Sequence, residues 1–173
     1  KIIFNEYENK NQKYAIIDLG CGNGWVVRKF KTHALCECAH GLDGAKTMIH
    51  KAKKYDPSGT YFHEDMNTWT PLQKYDVVFS METLYYFKNP GTIIQKIYDT
   101  ILKKNGILIM GIDHYQENAA SLDWGVQFNL DITTLSISDW RKTFKNAGFK
   151  IISCNQVEAQ KNWQGTLIIQ GNK

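Results

Sequence analysis

A chain of 173 residues, 43% hydrophobic and 22% charged, is long enough to bury one substantial core and contains no low-complexity tract. Its formal net charge of +4 is mild, and basic groups such as Lys51, Lys53 and Lys54 fall at helical spacing, so a solvated helix face explains them better than a nucleic-acid footprint. No apolar run approaches the roughly 20 residues of a membrane-spanning helix, which disfavours an integral membrane role.

Cys21, Cys36, Cys38 and Cys154 form no Cys-x-x-Cys pair, and the five histidines are dispersed, so neither a disulfide framework nor a metal is expected. The first six residues lack the apolar stretch of a secretory signal, which favours a cytoplasmic protein. Lys1 in place of Met leaves room for an upstream segment. Residues 1–13 read as a polar lead-in to a single domain spanning 1–173, with Phe4 and Tyr7 as packing residues.

Residues 14–17 are short, apolar and rich in branched side chains, as expected of a strand buried on both faces of a parallel sheet. Asp18 ends the run, and Gly20, Gly22 and Gly24 follow at intervals of two. Val26, Val27 and Phe30 then recur at helical spacing. Strand, glycine turn and helix describe either a mononucleotide-binding crevice or simply a tight turn between strand and helix.

The stretch Asp18-Leu19-Gly20-Cys21-Gly22-Asn23-Gly24 departs from the dinucleotide pattern Gly-x-Gly-x-x-Gly, which has no acid at this place. It resembles the first motif of the class I S-adenosylmethionine-dependent methyltransferases. The resemblance implies that Asp18, Gly20, Cys21, Gly22 and Gly24 hold the methionine part of S-adenosylmethionine. That cofactor carries an ammonium and a sulfonium but no phosphate, so an acid beside the turn is electrostatically apt.

A second strand over 34–42 ends at Asp43-Gly44. Asp43 lies 21 residues beyond Gly22, near the spacing at which Rossmann-like folds place a carboxylate on a ribose, although it also suits the cap of the next helix. In that helix, residues 45–55, Met48 sits on the apolar face and serves either the core or, by the resemblance, the adenine. A third strand over 60–63 precedes Glu64, Asp65 and Met66; the resemblance implies that Asp65 and Met66 meet the adenine ring.

The fourth strand, residues 75–79, runs into Ser80-Met81-Glu82-Thr83-Leu84-Tyr85-Tyr86, which resembles the segment beside the reacting methyl group in small-molecule methyltransferases. Ser80 and Met81 are assigned to the cofactor side. Glu82 and Tyr85 are candidate catalytic groups, with Tyr85 and Tyr86 also candidates for substrate contact or for plain aromatic packing.

A helix from Pro90 carries Ile93, Ile94, Ile97, Ile101 and Leu102 and stops at Lys103-Lys104-Asn105-Gly106 before a fifth strand, residues 107–112. The polar connection over 113–135 reads as a substrate-covering insert, with Tyr115 and Trp124 as substrate contacts and His114 as a candidate base, its unperturbed pKa lying near neutrality. Ser138 is expected to cap a helix ending at Gly148. Two last strands, 149–158 and 163–170, are joined by four residues, too few for a parallel crossover, and so form an antiparallel hairpin.

The fold class is therefore α/β: a Rossmann-like, doubly wound sheet of about seven strands, mostly parallel, closed by an antiparallel hairpin. The resemblance implies methyl transfer from S-adenosylmethionine to a small molecule by in-line displacement. An RNA-methylating enzyme and a non-catalytic cofactor-binding subunit that needs a partner are the alternatives, and nucleic acid is disfavoured.

Overall fold

The computed structural model describes residues 7–9 and 11–173. Phe4 of the lead-in lies outside them, whereas Tyr7 is buried, its ring 4.4 Å from that of Tyr14.

Strand β1 (Tyr14–Leu19) is buried along its whole length. Alternation sends Tyr14 and Ile16 to one face of the sheet and Ala15, Ile17 and Leu19 to the other, and each face has its own core. Helices α1 (Trp25–Lys31) and α2 (Lys46–Tyr55) cover the first face with Val26, Val27, Phe30, Ile49 and Ala52. Helices α3 (Pro90–Lys96) and α4 (Ile137–Asn146) cover the second with Ile93, Ile94, Trp140 and Phe144.

The remaining strands are β2 (Cys36–Asp43), β3 (Thr60–His63), β4 (Tyr75–Met81), β5 (Leu102–Ile112), β6 (Lys150–Val157) and β7 (Thr166–Asn172). They form one seven-stranded sheet in the order β3-β2-β1-β4-β5-β7-β6. Strands β1 to β5 are parallel, and β7 runs antiparallel to both β5 and β6, which is the expected closing hairpin. Strand order reverses at β1, so the crevice opens beyond the carboxyl ends of β1 and β4.

Several boundaries differ from the sequence reading for local reasons. Strand β2 begins at Cys36 because residues 33–36 first turn, with the His33 amide on Phe30 O and the Cys36 amide on His33 O. Strand β5 begins at Leu102, which pairs with Tyr75; the register then jumps to Val77 and Ile107 while residues 103–106 loop out through Asn105 at φ +63°. The left-handed Asn105 therefore sits inside the strand and not at a helix end. Ser136 caps α4, its Oγ accepting the Asp139 amide at 3.0 Å; Ser138 already lies within the first turn.

Residues 113–135 contain a 3-10 turn (Ala119–Ser121) and one helical turn (Trp124–Gln127). The segment is tied across the end of β4: the Thr133 amide donates to Tyr85 O at 2.7 Å, and the Thr133 hydroxyl to Phe87 O at 2.8 Å. No described helix is long and apolar enough to cross a membrane.

Candidate active site

Each parallel strand ends on or beside an acid: Asp18 in β1, Asp43 closing β2, Glu64 and Asp65 after β3, Glu82 after β4 and Asp113 after β5. The ends of β1 to β4 surround a cleft of about 650 Å³ lined by Gly20, Asp43, Gly44, Asp65, Met66, Glu82, Thr83 and Tyr86, among others; Asp18 and Asp113 are not part of its lining. The volume falls within the range of about 300–1,000 Å³ typical of small-molecule sites.

Gly20, Gly22 and Gly24 have φ of +81°, +52° and +76°, a left-handed run that side chains disfavour. Space forbids a side chain as well: a Cβ on Gly20 would lie 1.9 Å from Thr83 Oγ1, and one on Gly24 2.5 Å from the Tyr61 ring. The turn is pinned from β2, since the Gly20 and Cys21 amides donate to Leu42 O at 2.8 and 3.0 Å. Cys21 itself is buried, and that burial pushes its thiol well above the usual range.

Asp43 holds two backbone amides at the site. Its Oδ1 accepts the Ala45 amide at 2.7 Å at the entrance to α2, and its Oδ2 accepts the Gly22 amide at 2.8 Å. Each oxygen keeps a second lone pair, enough for the two hydroxyls of a ribose. Asp18 is 3% exposed; burial first, and the charge of Asp43 second, push its carboxyl up to about 8. Among the described residues, no Lys, Arg or His forms an ion pair with Asp18, Asp43, Glu82 or Asp113.

Asp65 Oδ1 accepts the Asn67 backbone and side-chain amides at 2.9 and 2.8 Å, so it shapes its own loop while facing the cleft. Lys96 of α3 braces that loop from behind by donating to Met66 O and Asn67 O at 3.0 and 2.8 Å. Met48 is half-buried on α2 and does not line the cleft. Ser80 and Met81 are likewise beneath it: the buried Ser80 hydroxyl donates to Leu19 O at 2.9 Å, and Met81 packs over Gly111.

Glu82 stands at φ +52°, unusual for a residue with a side chain. Its amide donates to Gly111 O at 2.9 Å, and its Oε2 accepts the Tyr85 hydroxyl at 3.0 Å. Glu82 Oε1 and Asp113 Oδ1 are buried without a hydrogen-bond partner. Burial and the charge of Asp113 push the Glu82 carboxyl up to about 7, partly offset by the Tyr85 hydroxyl and the Asp113 amide. Burial drives the Tyr85 phenol well upward, so it stays a donor to Glu82.

A second cavity of about 440 Å³ is walled by Tyr85, Tyr86, Trp124, Phe128, Leu130 and Ile132. Tyr86 lines both spaces, so the aromatic cavity adjoins the cleft at Tyr86. Trp124 is stacked between His114 and Trp163, at 6.2 Å from each ring.

Two assignments require correction. Tyr115 is fully buried, its hydroxyl donating to Gly165 O at 2.8 Å and accepting from Gln156 at 2.9 Å, so it anchors the insert to the hairpin and does not reach a substrate. His114 is also fully buried. The Ser121 carbonyl, 2.9 Å from Nδ1, can only accept, which puts the ring proton there and leaves Nε2 to accept from Thr134 Oγ1 at 2.7 Å. Both ring nitrogens are engaged, so His114 supports Trp124 and is not a free base. Thr83 and Phe87 also line the cleft; the close fit of Thr83 against Gly20 depends on how β4 meets β1, which leaves no mark in residue spacing.

A doubly wound sheet with an acid-tipped glycine turn at its switch point and an antiparallel closing hairpin defines a class I S-adenosylmethionine-dependent methyltransferase. A family model described as "Methyltransferase domain" matches residues 4–154, and the chain belongs to that family. Malonyl-[acyl-carrier protein] O-methyltransferase 2 of Ilyobacter polytropus is 24% identical over 167 residues, covering 90% of this chain and 62% of that protein. The chain thus spans less than two thirds of that relative.

Among solved structures, the methyltransferase in complex with the Haloferax volcanii Trm112 activator superposes with a TM-score of 0.82 at 23% identity, covering 93% of this chain and 82% of the other. The N-methyltransferase NodS of Bradyrhizobium japonicum, bound to S-adenosyl-L-homocysteine, gives 0.75 at 14% identity, with 99% and 84% covered. The cofactor is S-adenosylmethionine. The groups present fit it: Asp43 and Glu82 face the cleft with no ion-pair partner among the described residues, as a ligand carrying an ammonium and a sulfonium requires, and a cation nearby favours the ionised form of the buried Asp18.

Proposed function

We propose that the chain methylates a small-molecule acceptor held between the segment after β4 and the 113–135 insert. The observation that carries this reading is the aromatic cavity adjoining the cofactor cleft at Tyr86. When bound, S-adenosylmethionine supplies a methyl carbon on a sulfonium leaving group, so in-line attack needs alignment more than bond polarisation. Alignment of this kind is worth about 7–11 kcal/mol.

The protein groups divide that work. The glycine turn, Asp18 and Asp43 fix the cofactor's two ends. Tyr86 and Trp124 position the acceptor, Glu82 takes or orients its proton, and Tyr85 holds Glu82 through the 3.0 Å hydrogen bond. The 113–135 segment covers the acceptor and excludes water, anchored by Thr133 above and Tyr115 below.

A nucleic-acid acceptor is disfavoured because strand ends bearing acids repel phosphate. Four free thiols fit a reducing compartment such as the cytoplasm. A partner subunit is a second reading, supported by the structural neighbour that is complexed with a methyltransferase activator.

Incubation with methyl-labelled S-adenosylmethionine and panels of small acceptors and RNA tests the proposal. Label in a small acceptor supports it. Label in RNA alone, or tight S-adenosylhomocysteine binding with no transfer to any acceptor, favours the alternatives.

A further inference from the structure

We propose that the acceptor is an amine carrying an aromatic or apolar body, with its nitrogen at Glu82 and its body in the cavity walled by Tyr86, Trp124 and Phe128. This inference rests on the methyl-transfer reading above and adds the chemical class of the acceptor.

The charge of the site disfavours an anion. Glu82 lines the cleft and accepts the hydroxyl of Tyr85, which walls the aromatic cavity, and Glu82 Oε1 and Asp113 Oδ1 are both buried without a partner. Among the described residues, His63 at the end of β3 is the one basic group lining either space. A carboxylate acceptor would bring a further anion against two unpaired acids, with no cation beside Glu82 to offset it. An ammonium supplies the missing donors and charge.

The aromatic walls point the same way. Tyr86, Trp124 and Phe128 present ring surface, which attracts an organic cation and accommodates an apolar body. Glu82 holds a strained φ of +52°, the Tyr85 hydroxyl takes its Oε2, and its buried Oε1 has no partner, so a donor that reaches it satisfies it.

The chemistry balances. An ammonium has no lone pair, so its proton passes first to the Glu82 carboxylate, whose elevated pKa of about 7 suits that task. The nitrogen pair forms the N–CH3 bond as the S–CH3 bond breaks, sulfur keeping the electrons of that bond. The positive charge moves from sulfur to nitrogen, and Glu82 later releases its proton to solvent. Asp113 and Tyr85 act through Glu82 as positioning residues.

The test uses the full chain saturated with S-adenosylhomocysteine and three matched probes: 2-phenylethylamine, 3-phenylpropionate and 2-phenylethanethiol. Calorimetry should show the amine binding at least tenfold more tightly than either other probe. Glu82→Gln and Asp113→Asn should each reduce that preference at least tenfold while keeping the thermal shift produced by S-adenosylhomocysteine, which serves as the folding control. With S-adenosylmethionine, mass spectrometry should find N-methyl product. The rate should rise with pH through about 7, since Glu82 is faced by Asp113, Tyr85 and Tyr86 and by no basic group, and Glu82→Gln should remove that limb.

Equal binding of the three probes, preference for the carboxylate or thiol, or a preference that survives in both variants overturns the amine assignment. If S-adenosylhomocysteine produces no thermal shift in the wild type, the methyl-transfer reading itself fails. If it binds and label moves to a carboxylate, that reading stands and the amine inference falls.

Discussion

Asp43 Oδ2 accepts the Gly22 amide at 2.8 Å, so the acid closing β2 holds the middle of the glycine turn that follows β1. The same carboxylate takes the Ala45 amide through its other oxygen and faces the cleft. One side chain thus holds both the turn and the chain entering the next helix, and we propose that its remaining lone pairs take a ribose. Asp43→Ala is expected to weaken S-adenosylhomocysteine binding at least tenfold, since hydrogen bonds to charged groups contribute about 1.5–3 kcal/mol each. Calorimetry on the variant checks this, and unchanged affinity removes the assignment.

The Asp18 carboxyl, raised from 3.8 to about 8 in the fold, predicts a proton linkage. The folded chain holds this proton to a higher pH than the unfolded chain does. Its contribution to stability is therefore greatest below pH 3.8 and declines as pH rises from there to about 8. A cationic ligand favours the ionised form, so binding at pH 7 should release protons and should tighten between pH 6 and 8. Titration in buffers of different ionisation enthalpy measures the release, and Asp18→Asn should reduce it.

Gly20→Ala tests the close approach beneath the cofactor. The substitution places a side chain at φ +81°, with its Cβ 1.9 Å from Thr83 Oγ1. The left-handed conformation alone costs about 1–2 kcal/mol, and the contact adds to it. Urea denaturation should show a loss of about 2 kcal/mol or more, together with weakened cofactor binding. Gly22→Ala meets no atom within 4 Å and should cost only the conformational part.

Tyr115→Phe separates anchoring from substrate contact. It removes a donor to Gly165 O and an acceptor for Gln156 in a buried position. Stability should fall by about 1–3 kcal/mol, with KM for the acceptor unchanged at a temperature where the variant stays folded. Trp124→Ala should do the reverse, raising KM severalfold with a smaller effect on stability. A raised KM in Tyr115→Phe with no loss of stability would restore its substrate role.

The parallel order, the closing hairpin and the cofactor turn were legible because each has a local signature. A continuous apolar run marks β1, three glycines mark left-handed backbone, and the connection between the last two strands, residues 158–165 in the structure, is still too short for a crossover. The spacing of Asp43 from Gly22 pointed to a ribose, whereas the contact that the structure shows is with the Gly22 amide itself. The acceptor side was not, because it is assembled from residues whose neighbours come from elsewhere in the chain. His114 and Tyr115 follow a strand end where ligands gather, yet Ser121, Thr134, Gln156 and Gly165 engage their polar atoms. Conversely, the two buried, unpaired carboxyl oxygens of Glu82 and Asp113 belong to the ends of different strands, and no spacing along the chain announces that pairing.

The central claim is that the acid-tipped cleft at the β1–β4 switch point is a site for S-adenosylmethionine. Calorimetric titration of the wild-type chain with S-adenosylhomocysteine at pH 7.5, beside a matched titration with NADH, tests it most directly. The account predicts one saturable site for S-adenosylhomocysteine, weakened at least tenfold by Asp43→Ala, and no binding of NADH. Saturable binding of NADH with no binding of S-adenosylhomocysteine would contradict it.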